Sequence, residues 1–109
     1  MAAAETSENH GVLVVFTSPA DPSREDEFNA WYTGTHVPEI VEKVDGISGA
    51  QRYQLGNGSP EGPRPYLALY TLTEPAEKVQ AAFFAALPTF TMSDAIAGDP
   101  VLAFYDARD

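Results

Sequence analysis

The sequence predicts one α+β domain whose elements follow the order β-α-β-β-α-β. Four short runs rich in apolar, β-branched or aromatic residues indicate strands, at 12–16, 47–55, 65–72 and 101–105. Two longer segments repeat apolar residues at helical spacing, one before the second strand and one after the third. The length of 109 residues fits a single domain, which we place at 11–109 after a flexible tail at 1–10.

The first strand reads Val-Leu-Val-Val-Phe and is apolar at both alternating positions. A strand of this kind is typical of a sheet that is covered on both faces. Pro19 and Pro22 follow it and end it. The first helix should then begin near Arg24, because acidic residues at 25–27 occupy its first turn, where the helix dipole favours them.

The first helix has a stripe of aromatic residues that ends in a histidine. Phe28, Trp31, Tyr32, Thr35 and His36 follow one another at spacings of a single helical face. Gly34 and Pro38 interrupt the pattern, so we expect this helix to kink or break around 36–37 and a second piece to cover 38–44. The expected break places His36 at a helix end.

The rest of the chain supplies the other strands and the second helix. The strand at 47–55 alternates in polarity, with Gly49, Gln51 and Tyr53 on one side, and a turn-rich connector follows at 56–63. After the strand at 65–72, Thr73 is a plausible N-cap of the second helix. The stripe of that helix comprises Val79, Ala82, Phe83, Ala86 and Leu87.

This order of elements is that of the ferredoxin-like split βαβ fold, a four-stranded antiparallel sheet with two helices on one face. The first, third and fourth strands are apolar at both alternating positions. The face of the sheet that the helices do not cover is therefore apolar as well. Since a soluble protein avoids a large exposed apolar patch, we predict that two copies pair sheet to sheet as a homodimer.

Composition excludes several function classes. The formal net charge of −10 argues against binding to nucleic acid or to an anionic membrane surface, since both need Lys and Arg. There is no cysteine, and the two histidines are far apart, so no metal-ligand spacing is recognisable. No signal peptide or membrane-spanning run is evident, and we expect a cytoplasmic protein.

One motif resembles a known family. The pattern Asn29-x-Trp31-Tyr32-x-x-x-His36-x-Pro38-Glu39, followed by Gly46-x-x-x-Ala50-x-Arg52-Tyr53, is similar to EthD-like members of the dimeric α+β barrel superfamily. The resemblance extends from about 11 to 106. It implies a ligand pocket between helices and sheet, with His36 in the position of a general acid/base, and it also singles out Arg52 and Tyr53.

The chemistry of the residues supports a role for His36. An imidazole can give or take a proton near neutral pH, and burial among aromatic side chains would favour the neutral ring that a general base requires. The alternative is a structural histidine that caps the helix end.

The other candidates are aromatic or basic. The hydroxyls of Tyr32 and Tyr53 are predicted to hydrogen-bond a substrate carbonyl, which makes them catalytic candidates together with His36. Phe28, Trp31, Arg52 and Tyr70 are the predicted substrate-binding residues, Arg52 because it can hold a carboxylate or enolate oxygen. For the aromatic residues a role in the core is the alternative, and for Arg52 a surface ion pair.

These features predict a small enzyme without metal or cofactor that acts on a hydrophobic, oxygenated organic molecule. A polyketide-type or other secondary-metabolite intermediate fits best, in a cyclisation, dehydration or related lyase or isomerase step. Two alternatives stay open: a cofactor-free monooxygenase that oxidises a phenol, and a non-catalytic ligand-binding or stress-related module. A single histidine could also bind haem iron, although basic residues for the propionates are scarce.

Overall fold

A computed structural model describes residues 9–58 and 64–109, and the four predicted strands all occur in it. They are β1 (Gly11–Thr17), β2 (Ile47–Gln54), β3 (Tyr66–Leu72) and β4 (Val101–Asp106). The strands form one sheet in the order β2-β3-β1-β4, and all three pairings are antiparallel. The ferredoxin-like α+β architecture is therefore confirmed. Most of the predicted tail, residues 1–8, and part of the predicted connector, residues 59–63, lie outside the described residues.

The first helical segment is continuous, so of the two predicted alternatives, a kink or a break near His36, the break is wrong. A 3-10 turn (Pro22–Arg24) leads into α1 (Glu25–Trp31), a π-helical turn (Tyr32–His36) and α2 (Val37–Lys43). The amide of Val37 donates to the carbonyl of Tyr32, five residues earlier, which defines the π turn. Pro38 explains the wider turn, because in a regular α-helix its ring would clash with the carbonyl of Gly34.

The second predicted helix is α3, which runs over Ala76–Ala86 and ends in a 3-10 turn at Leu87–Thr89. Its buried side chains Val79 and Phe83 lie on the predicted stripe. Pro75, rather than Thr73, occupies the N-cap position. No described helix has the length and apolarity needed to cross a membrane.

The core fills the space between the helices and one face of the sheet. Alternate residues of β1 and β3 are buried there, and they include Leu13, Val15, Ala68, Tyr70 and Leu72. The opposite face carries side chains such as Val14, Leu69 and Tyr105, and no described helix packs on it. Both faces are thus apolar as predicted, and the proposed sheet-to-sheet homodimer stays a prediction.

An irregularity in β2 changes the predicted sidedness of that strand. The register shifts between Ile47 and Gly49, so that Ala50 pairs with Tyr70 and Arg52 pairs with Ala68. Ala50 and Arg52 therefore lie on the helix face. Tyr53 lies on the opposite face with a side chain that is 48% exposed, and strict alternation from Ile47 fails because of the bulge.

Candidate functional site

A cavity of about 300 Å³ lies between the helices and the sheet. This volume is at the lower end of the range of small-molecule pockets, about 300–1,000 Å³. The lining combines apolar side chains with a few polar ones, and comprises Val15, Thr17, Tyr32, His36, Ile40, Phe83, Phe84, Leu87, Met92, Ile96, Asp99, Pro100 and Leu102. The position of the cavity is the one that the family resemblance implies.

His36 lines this cavity and is enclosed by aromatic rings. Its ring stacks on Trp31, with centroids 4.6 Å apart, and meets the rings of Tyr32 and Phe90 edge to face at 5.0 Å and 5.8 Å. The π turn explains the stack, because a wider turn brings residues five apart onto one another. Trp31 is fixed in turn by a hydrogen bond from its Nε1 to the carbonyl oxygen of Thr91, at 2.9 Å.

The imidazole of His36 is buried without polar compensation. Its side chain is 7% exposed, and Nδ1 is buried with no hydrogen-bond partner among the described residues. Burial lowers the pKa of His36 from 6.5 to about 4, and the more distant carboxylate of Glu39 opposes this only in part. The ring is therefore neutral at pH 7, with one nitrogen protonated and the other carrying a lone pair.

Tyr32 shares the cavity wall with His36. Its side chain is 1% exposed, and its hydroxyl accepts a long hydrogen bond of 3.4 Å from the hydroxyl of Tyr70. A phenolic hydroxyl can donate one hydrogen bond while it accepts another, so the Tyr32 hydroxyl keeps its donor beside the contact from Tyr70. Burial raises the pKa of Tyr32, so the phenol stays protonated.

Arg52 lies behind Tyr32 and does not line the cavity. Its guanidinium lies 4.5 Å from the ring centroid of Tyr32 and also covers the rings of Phe28 and Tyr66. Its Nη1 donates to Oγ1 of Thr33 at 3.0 Å, and its Nη2 donates to Oδ1 of Asn29 at 2.9 Å. Burial raises the pKa of Tyr32, and the nearby Arg52 cation opposes this effect in part.

The structure separates the other predicted site residues from the cavity. Phe28 is fully buried among Trp31, Tyr32 and Tyr66, and Tyr70 is fully buried beside Tyr32, so neither appears in the cavity wall. Trp31 is not in the cavity wall, but it packs against two residues that are, His36 and Tyr32. Tyr53 lies on the opposite face of the sheet, because of the bulge in β2, and cannot act together with His36 within one protomer.

Sequence reasoning missed the segment at 88–100, which closes one side of the cavity. Its residues Met92, Ile96 and Asp99 line the wall, and the segment is attached to α2 through Glu39. The carboxylate of Glu39 accepts from the amide of Thr91 at 2.6 Å and from Nζ of Lys43 at 2.9 Å. An irregular segment has no periodicity by which these contacts could be found.

No group of metal-ligating side chains occurs among residues 9–58 and 64–109. The described cavity wall also contains no Lys or Arg, so it offers no cation for the propionates of a haem, and the residues do not fit that group.

No protein-family model matches the chain. Core atranone cluster protein 1 of Stachybotrys chlorohalonatus is 36% identical to it over 80 residues, which are 72% of this chain. The match covers 33% of that protein, so the chain spans about a third of the length of this curated relative. A crystal structure of an EthD-like protein from Ralstonia eutropha is similar over 89% of this chain and 92% of its own, with 16% identity and a TM-score of 0.49.

Proposed function

We propose that this chain is an EthD-like enzyme of secondary metabolism that moves a proton next to a carbonyl group. The step would be a cyclisation, a dehydration or a related lyase or isomerase reaction. One observation carries the proposal: a neutral, buried histidine whose Nδ1 lacks a partner among the described residues lines an apolar cavity together with Tyr32. The name of the fungal relative, which refers to a core atranone cluster, supports the assignment to secondary metabolism.

In this mechanism His36 is the general base. It removes a proton from the carbon next to the carbonyl, and the Tyr32 hydroxyl donates a hydrogen bond to the oxygen as negative charge develops there. As the enolate forms beside the ring, its charge stabilises the imidazolium and offsets the burial that otherwise lowers the pKa of His36. A base of this strength suits carbon acids that are already activated, such as a carbon between two carbonyls. The cation of Arg52, which lies against the Tyr32 ring, also stabilises the negative charge on the enolate oxygen.

The proposal can be tested without the natural substrate. Ethyl benzoylacetate is an uncharged β-keto ester whose protons between the two carbonyls exchange with deuterium from D₂O, and the exchange can be followed by proton NMR. We expect the protein to accelerate the exchange over buffer, and His36→Gln to abolish the acceleration. His10→Gln is the matched control, because the other histidine of the chain does not line the cavity and its loss should leave the rate unchanged.

Exchange at the wild-type rate in His36→Gln would contradict the role of His36. Ligand binding that is unchanged in His36→Gln, with no exchange activity in either protein, would instead identify a binding module. Oxygen consumption in the presence of a phenolic substrate would replace the proposal by a cofactor-free monooxygenase.

A further inference from the structure

The polarity of the cavity changes from its inner wall to its mouth. The inner wall contains the buried polar side chains Thr17, Tyr32 and His36. The mouth is formed by apolar side chains that are unusually exposed, namely Phe84 at 46%, Leu87 at 39% and Met92 at 51%. A ligand that matches this gradient has its oxygen at the inner end and its hydrocarbon part at the mouth.

The cavity also has a defined charge. Asp99 is exposed and is the one acidic side chain among the described lining residues, which include no Lys or Arg. Arg64 donates to the main-chain oxygen of Asp99 at 2.8 Å, but it forms no described salt bridge with the Asp99 carboxylate. Arg64 lines a different cavity, together with residues of the opposite sheet face such as Phe16 and Tyr53.

An anionic ligand would therefore meet repulsion at the mouth and find no cation inside. The loss of hydration of a carboxylate in an apolar cavity is costly unless a cation compensates for it. The chain's net charge of −10 adds a long-range repulsion of the same sign. An uncharged ketone, ester or lactone loses no ionic hydration and meets no charge repulsion. Its carbonyl oxygen can also accept a hydrogen bond from the Tyr32 hydroxyl.

We propose that this cavity selects uncharged ligands, which enter carbonyl first, and that Asp99 at the mouth excludes the corresponding free acids. The inference rests on the proposed function for the chemistry at the inner wall. It concerns binding alone, so it can fail while the proton-transfer activity stands, and the reverse also holds.

Three probes with one ring system test the proposal by isothermal titration calorimetry at low ionic strength. They are 2-acetylnaphthalene (an uncharged ketone), 2-naphthoate (the carboxylate) and 2-ethylnaphthalene (a hydrocarbon). We expect the ketone to bind at least about tenfold more tightly than the carboxylate. A buried carboxylate that lacks a cationic partner loses affinity by a factor on the order of ten or more. Asp99→Asn should lower the ratio of ketone affinity to carboxylate affinity. Glu42→Gln, which removes one negative charge from an exposed position outside the cavity wall, should not.

Two further measurements test the orientation of the ligand. Tyr32→Phe should weaken binding of the ketone about five- to tenfold and leave the hydrocarbon unaffected, as expected for one lost hydrogen bond. The chain has two methionines, Met1 and Met92, so methyl labelling of methionine gives an NMR reporter at the mouth. The ring of the bound ketone should shift the Met92 signal.

Equal or tighter binding of 2-naphthoate would overturn the selection for uncharged ligands, and so would a ketone-to-carboxylate ratio that Asp99→Asn leaves unchanged. Failure of the ketone to bind at its solubility limit would overturn the proposal as a whole. Ketone binding that does not respond to Tyr32→Phe would overturn the orientation. Deuterium exchange that depends on His36 would still support the proposed function in each of these cases.

Discussion

Trp31 and His36 stack face to face, with ring centroids 4.6 Å apart and an angle of 23° between their planes. The contact joins residues five positions apart, which a regular α-helix would place on different sides. The π turn between α1 and α2 makes it possible and thereby fixes the base candidate of the cavity. Because Trp31 is the one tryptophan of the chain, the stack also provides a spectroscopic reporter.

We expect the fluorescence of Trp31 to report the protonation of His36. An imidazolium quenches a stacked indole more strongly than a neutral imidazole does, so emission should fall as the pH is lowered, with a midpoint near the pKa of about 4 rather than near 6.5. His36→Gln should remove this transition. A midpoint near 6.5 in the folded protein would show that the ring is hydrated and would contradict its burial.

The same burial should make the free energy of unfolding depend on pH. His36 has an ordinary pKa of 6.5 when unfolded and about 4 when folded, so the unfolded state binds more protons between these values. The contribution of neutral His36 to the free energy of unfolding is therefore complete above about pH 6.5. It is lost as the pH is lowered towards 4, and the loss between pH 7 and pH 5 is about 2 kcal/mol. Urea titrations at both pH values check this. In His36→Gln the free energy of unfolding should differ less between the two pH values, by about 2 kcal/mol.

Tyr32 and Tyr70 offer a matched pair of variants. Each loses the same 3.4 Å contact when changed to phenylalanine, but the side chain of Tyr32 alone lines the cavity. Tyr32→Phe should lower the exchange rate by about 10²-fold, as is typical when a donor to a developing oxyanion is removed. Tyr70→Phe should stay close to the wild-type rate. Equal losses in both variants would indicate a structural effect of the pair.

Arg52 should influence the reaction without contacting the ligand. Arg52→Met keeps much of the apolar stem but removes the cation that lies 4.5 Å from the Tyr32 ring centroid. Burial raises the pKa of Tyr32 and the nearby cation opposes this shift in part, so we expect the spectrophotometric titration of Tyr32 to move to still higher pH in the variant. The exchange rate at saturation should fall while ligand affinity stays nearly constant. A loss of affinity alone would instead identify Arg52 as a direct ligand contact.

The uncovered sheet face predicts a homodimer. Leu69 lies at the centre of this face, where it pairs with Val14 on one side and Gln51 on the other. Leu69→Lys should convert a dimer into a monomer in light scattering, whereas Ala30→Lys, at an exposed position of α1, should not. A wild-type protein that has the mass of a monomer at micromolar concentration would contradict the prediction.

Local patterns in the sequence determined the elements and much of their arrangement. Strand runs, the two helical stripes and the proline and glycine positions predicted the βαββαβ order, and that order implies the sheet topology because few antiparallel arrangements satisfy it. The stripe on the first helix also predicted that Tyr32 and His36 face the sheet. Periodicity carries this information because burial on one face requires it.

The tertiary structure decided which of these residues meet. A one-residue bulge at Ser48 moved Tyr53 to the far face, and alternation alone cannot reveal a bulge. A π turn replaced the expected break at His36, since Pro38 permits either outcome. The irregular segment at 88–100 closed the cavity through long-range contacts to Glu39 and Trp31. The sequence alone could therefore identify the candidate base, whereas its burial, its missing hydrogen-bond partner and the charge of its cavity arise from packing between distant segments.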